Sequence, residues 1–374
     1  MNSSSHDVLI VGGGVIGLSL AWELAQHGSK VCVVDRGKMG REASWAGAGM
    51  IPPGPSRSHW ERATPLERMA GLSSDLHAKW SQALLAETGV DNEYRRCGAL
   101  RLAEIPAQVS LVDHQISRWR ELGIECQELD SRELAQLEPE LASNAGPFGA
   151  YHVPAETQIR NPRHLQALLA ACRQAGVELR PGTTVRELRI QGEHVTAAIT
   201  DEQPLVAEQF CLTAGCWTGQ LAKTLGLDLP VKPIRGQIVL LSGARVLLSH
   251  NVYVGLQYLT PRQDGHVLVG STMEDVGFVK ENTPDATDEL LSFATQLVPA
   301  LAELPVETCW SGLRPGTPDG KPYLGRAGQL ENTWVATGHF RAGLQLSPAT
   351  AVVMRSLILG QAPPIDVSSL GFGR

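Results

Sequence analysis

Near the N-terminus the apolar run 8–11 breaks at Gly12, Gly13 and Gly14, and Gly17 follows as a helical pattern begins. A second apolar run then ends at Asp35. Short apolar runs bounded by glycines predict buried strands, so the order is strand, glycine turn, helix and strand with a terminal acid. That is a dinucleotide-binding βαβ unit. Gly12 permits the tight turn, Gly14 lets the backbone approach a pyrophosphate, and Gly17 lets the helix pack on the strand. The helix start offers unpaired N–H groups to phosphate, and Asp35 can accept from ribose hydroxyls.

A helix is predicted over about 65–88, a short strand over 99–103 and another helix around Trp119. NPRHLQALLAACRQAGVEL predicts a helix with Asn161 as N-cap, Pro162 in the first position and Gly176 at the stop. Strands over 177–179 and 185–190, and one ending at Ala214-Gly215, fit an extension of the nucleotide-binding sheet. From Val231 to about Gly277 short apolar runs suit an antiparallel sheet, and a last helix is expected over 347–359.

Size and composition narrow the function classes. A chain of 374 residues with 43% hydrophobic and 19% charged residues holds two domains and a large core. No run approaches the length of a membrane span, and the polar start MNSSSHD lacks the basic and apolar parts of a signal peptide. A cytoplasmic protein without a membrane partner is expected. The seven cysteines form no CxxC pair, so neither a metal site nor a disulfide framework is indicated. A net charge of −7 argues against a nucleic-acid partner.

Two loops point to FAD rather than NAD. GREASWAGAGM, directly after the second strand, is a small-residue loop that lets backbone approach a permanently held flavin. GHFRAGLQLSPAT places a glycine turn before a helix, whose positive end can face the flavin pyrimidine and favour the reduced state.

With VGGGVIG, AGAGM, RNPRHL, LTAGCWTG, YLTPR, VGSTM, GLRPGTPDGKPYLG and GHFRAG in that order, the chain resembles the D-amino-acid oxidase superfamily, and within it the glycine oxidases, nearly end to end. Asp35 stands where that family often has Glu. The expected fold is α/β: a discontinuous FAD-binding Rossmann-type domain (1–90, 147–228 and 308–374) and an antiparallel-sheet substrate-binding domain (91–146 and 229–307). The resemblance implies that Val15, Ile16, Asp35, Arg36, Ala43, Ser44, Ala48, Gly49 and Met50 contact FAD, with Val185 at the adenine side. It also implies that the loop His339, Phe340, Arg341, Ala342, Gly343, Leu344 and Gln345 lies at the flavin ring. Substrate falls to Arg314, Arg341, Tyr258 and Met273.

The implied reaction is oxidative deamination of glycine, sarcosine or small D-amino acids, with oxygen as acceptor and hydrogen peroxide as product, supplying thiazole synthesis in thiamine production. Arg314 has the planar fork that suits a carboxylate, and Tyr258 can add a donor. No side-chain base is required if the amine reacts neutral, and none is assigned. Met273 is expected beside the α carbon, where it would limit substrate size. Cys309 stands near the position of covalent flavin attachment in sarcosine oxidases, but the glycine oxidase resemblance implies non-covalent FAD. A flavin-dependent D-amino-acid dehydrogenase, a sarcosine-type oxidase and a tRNA-modifying flavin domain share the architecture and stand as alternatives; a homo-oligomer is left open.

Overall fold

In the computed structural model, which describes residues 6–373, the apolar strands form a six-stranded sheet. Its order is Tyr323–Arg326, Thr333–Thr337, Ala207–Leu212, His6–Val11, Val31–Asp35, Glu178–Pro181. The pairs are parallel except at the edge, where Tyr323–Arg326 runs antiparallel to its neighbour. Alternation explains the unbroken apolar runs. Val8, Ile10 and Val33 face one core, whereas Leu9, Val11, Cys32 and Val34 face the other.

The first core is covered by four helices: α1 (Val15–Gln26), α2 (Pro65–Thr88), α3 (Asn161–Gln174) and α4 (Gly343–Ile358). α2 begins in a capping box between Thr64 and Glu67 and ends at Gly89, and its Trp80 meets Trp22 of α1 edge-on at 4.8 Å. The second core lies under a two-stranded hairpin, Val185–Gln191 with His194–Thr200, and a short helix, Thr218–Thr224. The hairpin is a separate sheet rather than the extension of the parallel sheet that its sequence suggested.

An eight-stranded sheet stands beside the first. Its order is Val306–Gly316, Lys232–Leu241, Val267–Gly270, Gln257–Pro261, Asn251–Val254, Ala99–Leu102, Ala150–Val153, Gln127–Glu128. Pro284–Leu297 covers one face and Pro106–Glu121 the other. Two segments differ from the sequence-based division. Val306–Gly316 pairs along Lys232–Leu241, and Ala150–Val153 pairs with Ala99–Leu102, so both lie in the large sheet. The glycines of GLRPG give clearance within a strand: a Cβ at Gly312 would meet that of Ala46 at 2.6 Å.

A small sheet ties the two units. Thr157–Gln158 pairs with both Met50–Ile51 and Arg95–Arg96. No helix among the described residues is long and apolar enough to cross a membrane.

Candidate active site

A cavity of about 480 Å³ opens at the carboxyl ends of the parallel strands and reaches the large sheet. Gly12, Gly14, Val15, Ile16, Asp35, Arg36 and Val185 line it. Gly12 has φ +119°, and a Cβ there would stand 2.6 Å from the Thr213 carbonyl group. Gly17 does not reach the cavity; its missing Cβ would lie 2.0 Å from the Gly12 oxygen, so it serves the close seating of α1 on the turn. Asp35 accepts from the Gly13 and Gly37 amides, both at 2.8 Å, which orients the carboxylate. The Arg36 guanidinium stacks 3.8 Å from the centre of the Trp217 ring, another lining residue.

Ala43, Ser44, Ala48, Gly49 and Met50 form the next part of the wall. Ser44 Oγ accepts from the Val15 amide at 2.9 Å, joining the loop to the start of α1. Three donors distant in sequence hold the loop's carbonyls: Asn161 on Ser44 O at 3.0 Å, Trp310 on Ala46 O at 3.0 Å and Arg262 on Ala48 O at 2.8 Å. Gly49 has φ +82°, and a Cβ would lie 1.9 Å from Ile159 O. None of these ties is apparent from the local pattern. Asn161 is the first residue of α3 rather than its cap; Arg160 takes the cap position, and the amide group of Asn161 turns to the loop instead. Burial pulls Arg262 down to about 10, still cationic at neutral pH.

At the large sheet, Arg314 lines the cavity, and its guanidinium is held before any substrate arrives. Nη2 donates to Ser271 Oγ at 2.7 Å and Nη1 to Thr272 O at 3.1 Å. The group lies flat across the neighbouring strand, where a Cβ on Gly236 would meet it at 2.1–2.3 Å. Tyr258 is buried beside it, with Gly270 making room for the phenol. Burial lowers the Arg314 pKa; the nearby Tyr258 raises it and Arg341 lowers it again. Ser271, Gly236 and Gly270 were not picked out from the sequence, because each acts on a partner in another strand.

Met273 is not part of the lining and is 50% exposed. Its neighbours explain why: Thr272 accepts from the Gln237 amide and Glu274 pairs with Arg235, both turned to the sheet. An extended segment puts the residue between them on the opposite side. The size-limiting role expected of Met273 therefore has no geometry behind it.

The C-terminal loop brings His339, Phe340, Arg341, Gly343 and Leu344 to the cavity, whereas Ala342 and Gln345 stand behind it. Gln345 donates to Pro52 O at 2.9 Å. Arg341 is exposed and donates to Leu256 O at 3.2 Å. Phe340 takes φ +49°, a conformation uncommon for a non-glycine residue and concentrated at functional sites. α4 starts at Gly343, four residues earlier than its apolar pattern suggests, so its first turn borders the cavity.

His339 is buried with Nε2 3.0 Å from Thr350 Oγ1, and burial holds its pKa down to about 3. His77 of α2 and His164 of α3, both buried, are held down to about 4 and 3 by the same cause, the latter also by its neighbour His77. These three imidazoles stay neutral when folded but bind protons once unfolded. Their contribution to stability is complete above about pH 6.5 and is lost as pH falls towards 4 and 3, by up to about 1.4 kcal/mol per pH unit for each. At half-buried His266, Asp264 and Glu307 outweigh burial and raise the value, an opposite and single effect. Urea midpoints should be clearly lower at pH 5 than at pH 7; equal midpoints would contradict this.

The described residues contain one group with metal-ligand spacing, His6, Cys32 and Glu178, away from the cavity. His6 is already bonded to Glu178 at 2.6 Å, and burial pushes the Cys32 thiol up to about 12.

The lining suits an adenine dinucleotide carrying a planar ring system. The helix start at Gly14 has no Cβ to obstruct a pyrophosphate, Asp35 borders the same cavity, and Asn161, another lining residue, has a buried Oδ1 without a hydrogen-bond partner. The comparisons agree. The chain is 38% identical over 363 residues to glycine oxidase of Pseudomonas aeruginosa, covering 97% of each chain. It is 34% identical to the bifunctional protein ThiO/ThiG of Synechocystis, covering 96% of this chain and 52% of that longer one. The crystal structure of glycine oxidase from Geobacillus kaustophilus superposes with a TM-score of 0.92 at 30% identity, over 99% of this chain and 98% of that one. Residues 7–357 match the FAD dependent oxidoreductase family, and with a cavity of this build the chain belongs to it.

Proposed function

We propose that this FAD-dependent oxidoreductase oxidises glycine and other small amino acids or amines, such as sarcosine and small D-amino acids, releasing 2-oxo acid, ammonia or amine, and hydrogen peroxide. The observation that carries this reading is the guanidinium of Arg314, held by Ser271 and Thr272 in the same cavity as the Gly12–Gly14 turn. A guanidinium has five N–H donors in one plane, so those bonds leave donors for a bidentate carboxylate. Tyr258 adds a hydroxyl beside it and Arg341 a second positive charge. Together they orient the substrate's α carbon, and holding the reacting atoms in line supplies much of the rate. FAD held in this cavity by the residues around Gly12–Gly14 and Asp35 would supply the hydride acceptor and the route of the electrons to oxygen.

No side chain is assigned as base. His339 is engaged with Thr350 and is too weakly basic to take a proton from an ammonium at neutral pH. The amine therefore reacts in its neutral form, and the chain's contribution is binding and orientation. The resemblance to glycine oxidases puts the flavin ring at the first turn of α4, whose Gly343 and Leu344 line the cavity, and its positive end there would favour negative charge on the reduced ring. A role in supplying thiazole synthesis in thiamine production fits the ThiO/ThiG relative.

The test is a purified yellow protein given glycine, sarcosine and D-alanine in air. We expect stoichiometric peroxide with the small substrates. Flavin reduction without peroxide, relieved by a quinone, would make the protein a dehydrogenase.

The flavin should also be held without a covalent bond. Cys309 does not line the cavity: it packs towards the core under Pro284–Leu297, while Trp310 faces the flavin loop. Acid precipitation is expected to leave a colourless pellet and a yellow supernatant; a yellow pellet would show an attached flavin.

A further inference from the structure

Pro348 lies inside α4 and is buried. Proline has no N–H, so the Leu344 carbonyl one turn earlier lacks its helical donor. Leu344 lines the cavity, so this gap falls in the turn placed at the flavin. Two side chains fill it. Ser347 Oγ donates to Leu344 O at 2.9 Å, and His77 Nε2 of α2 lies 3.2 Å from the same oxygen and 3.0 Å from Gln345 O. One turn before His77 on α2, Ser73 Oγ accepts from the Ala349 amide at 3.2 Å. Ser73 and His77 are fully buried and i, i+4 apart, so one face of α2 is stitched to the interrupted part of α4.

The tautomer of His77 follows from its partners. Carbonyl oxygens only accept, so its proton sits on Nε2 and Nδ1 is bare. His77 Nδ1 and His164 Nε2 are both buried without a partner in the structure, with ring centres 6.2 Å apart. His164 Nδ1 faces Asn92 Nδ2 at 3.1 Å and accepts from it, which puts the His164 proton on Nε2. Both rings are thereby neutral and fixed in orientation.

We propose that His77 is a positioning residue of the oxidase: its Nε2–H, shared between Leu344 O and Gln345 O, joins Ser347 Oγ in standing in for the donor removed by Pro348 and so sets where the first turn of α4 stands against the flavin. This rests on the placement of the flavin ring at α4 given above. His77 itself is not among the cavity residues, so it acts only through Leu344 and Gln345.

The experiment is a double-mutant cycle on the FAD-loaded enzyme: wild type, His77→Leu, Pro348→Ala and the double variant, with His77→Gln as a variant that keeps a donor. FAD affinity, the visible spectrum and midpoint potential of bound FAD, and the urea midpoint are measured for each. His77→Leu should weaken FAD binding about three- to tenfold and lower the flavin potential, the size expected for one lost hydrogen bond to a carbonyl. With Pro348→Ala present, residue 348 has its own N–H, and the effect of His77→Leu should shrink to less than about twofold. His77→Gln should stay near wild type. Equal effects of His77→Leu in both backgrounds, on flavin and on urea midpoint alike, would mean that His77 only fills space. Coupling in the urea midpoint with an unmoved flavin would keep the stitch but overturn the placement of the flavin at α4, and the positioning role with it. If His77→Leu alone fails to fold, the double variant should fold; failure of both overturns the pairing.

Discussion

Replacing Arg314 with alanine is expected to leave FAD bound and to raise the substrate concentration for half-maximal turnover by roughly thirtyfold to several thousandfold. The side chain is partly buried, and its removal leaves a substrate carboxylate in the cavity without its charged partner, a loss of about 2–5 kcal/mol. FAD should remain because the residues placed at its nucleotide half, from Gly12 to Asp35, lie on the other sheet. Lysine in place of Arg314 should recover little, since it offers a point charge instead of a planar fork. Steady-state kinetics with glycine, alongside the visible spectrum of the purified variant, decide the matter. Near-normal kinetics in a yellow, folded Arg314→Ala would remove Arg314 from the site.

Gly236→Ala should produce nearly the same kinetic defect with the arginine still present. The added Cβ would lie 2.1 Å from Arg314 Nη2 and 2.2 Å from Nη1, so the guanidinium must leave its position. The end of a long side chain moves easily, and thermal stability should change by no more than about 0.5–1 kcal/mol, the scale of an ordinary strand substitution. Misplacing a binding group by about 1 Å can cost on the order of a hundredfold in turnover of bound or captured substrate. The pair of results, an unaltered melting temperature with a large loss in kcat/KM for glycine, separates this mechanism from misfolding. A Gly236→Ala enzyme with wild-type kinetics would show that the Arg314 position does not matter.

These two residues also mark where local pattern stops being informative. Arg314 stood out because its chemistry matches a carboxylate and its motif, GLRPGTPDGKP, carries a family resemblance. Gly236 had no such signal. Its meaning is a cross-strand relation: Ile234 is the register partner of Arg314, and the guanidinium then lies back over Gly236. Met273 failed in the opposite way. Its place in VGSTM suggested a pocket residue, but the strand ends at Gly270 and the contacts of Thr272 and Glu274 turn Met273 outward. Asn161 looked like a helix cap, and its amide instead ties down the flavin loop from α3.

By itself the sequence determined the βαβ unit, because every requirement there is local. Alternating core contacts demand apolar strands, the turn demands Gly12, and Gly17 must lie against the Gly12 oxygen in the next turn of chain. It also placed α2 over about 65–88, where the structure has Pro65–Thr88. Only the tertiary structure decided which sheet receives Val306–Gly316, which donors fix the loop around Ser44, Ala46 and Ala48, and which distant side chain joins Ser347 at the carbonyl that Pro348 leaves without its donor. The physical reason is common to all three. Backbone geometry and burial period act over a few residues, whereas a buried polar atom accepts a partner from anywhere in the chain, and the folded packing alone selects it.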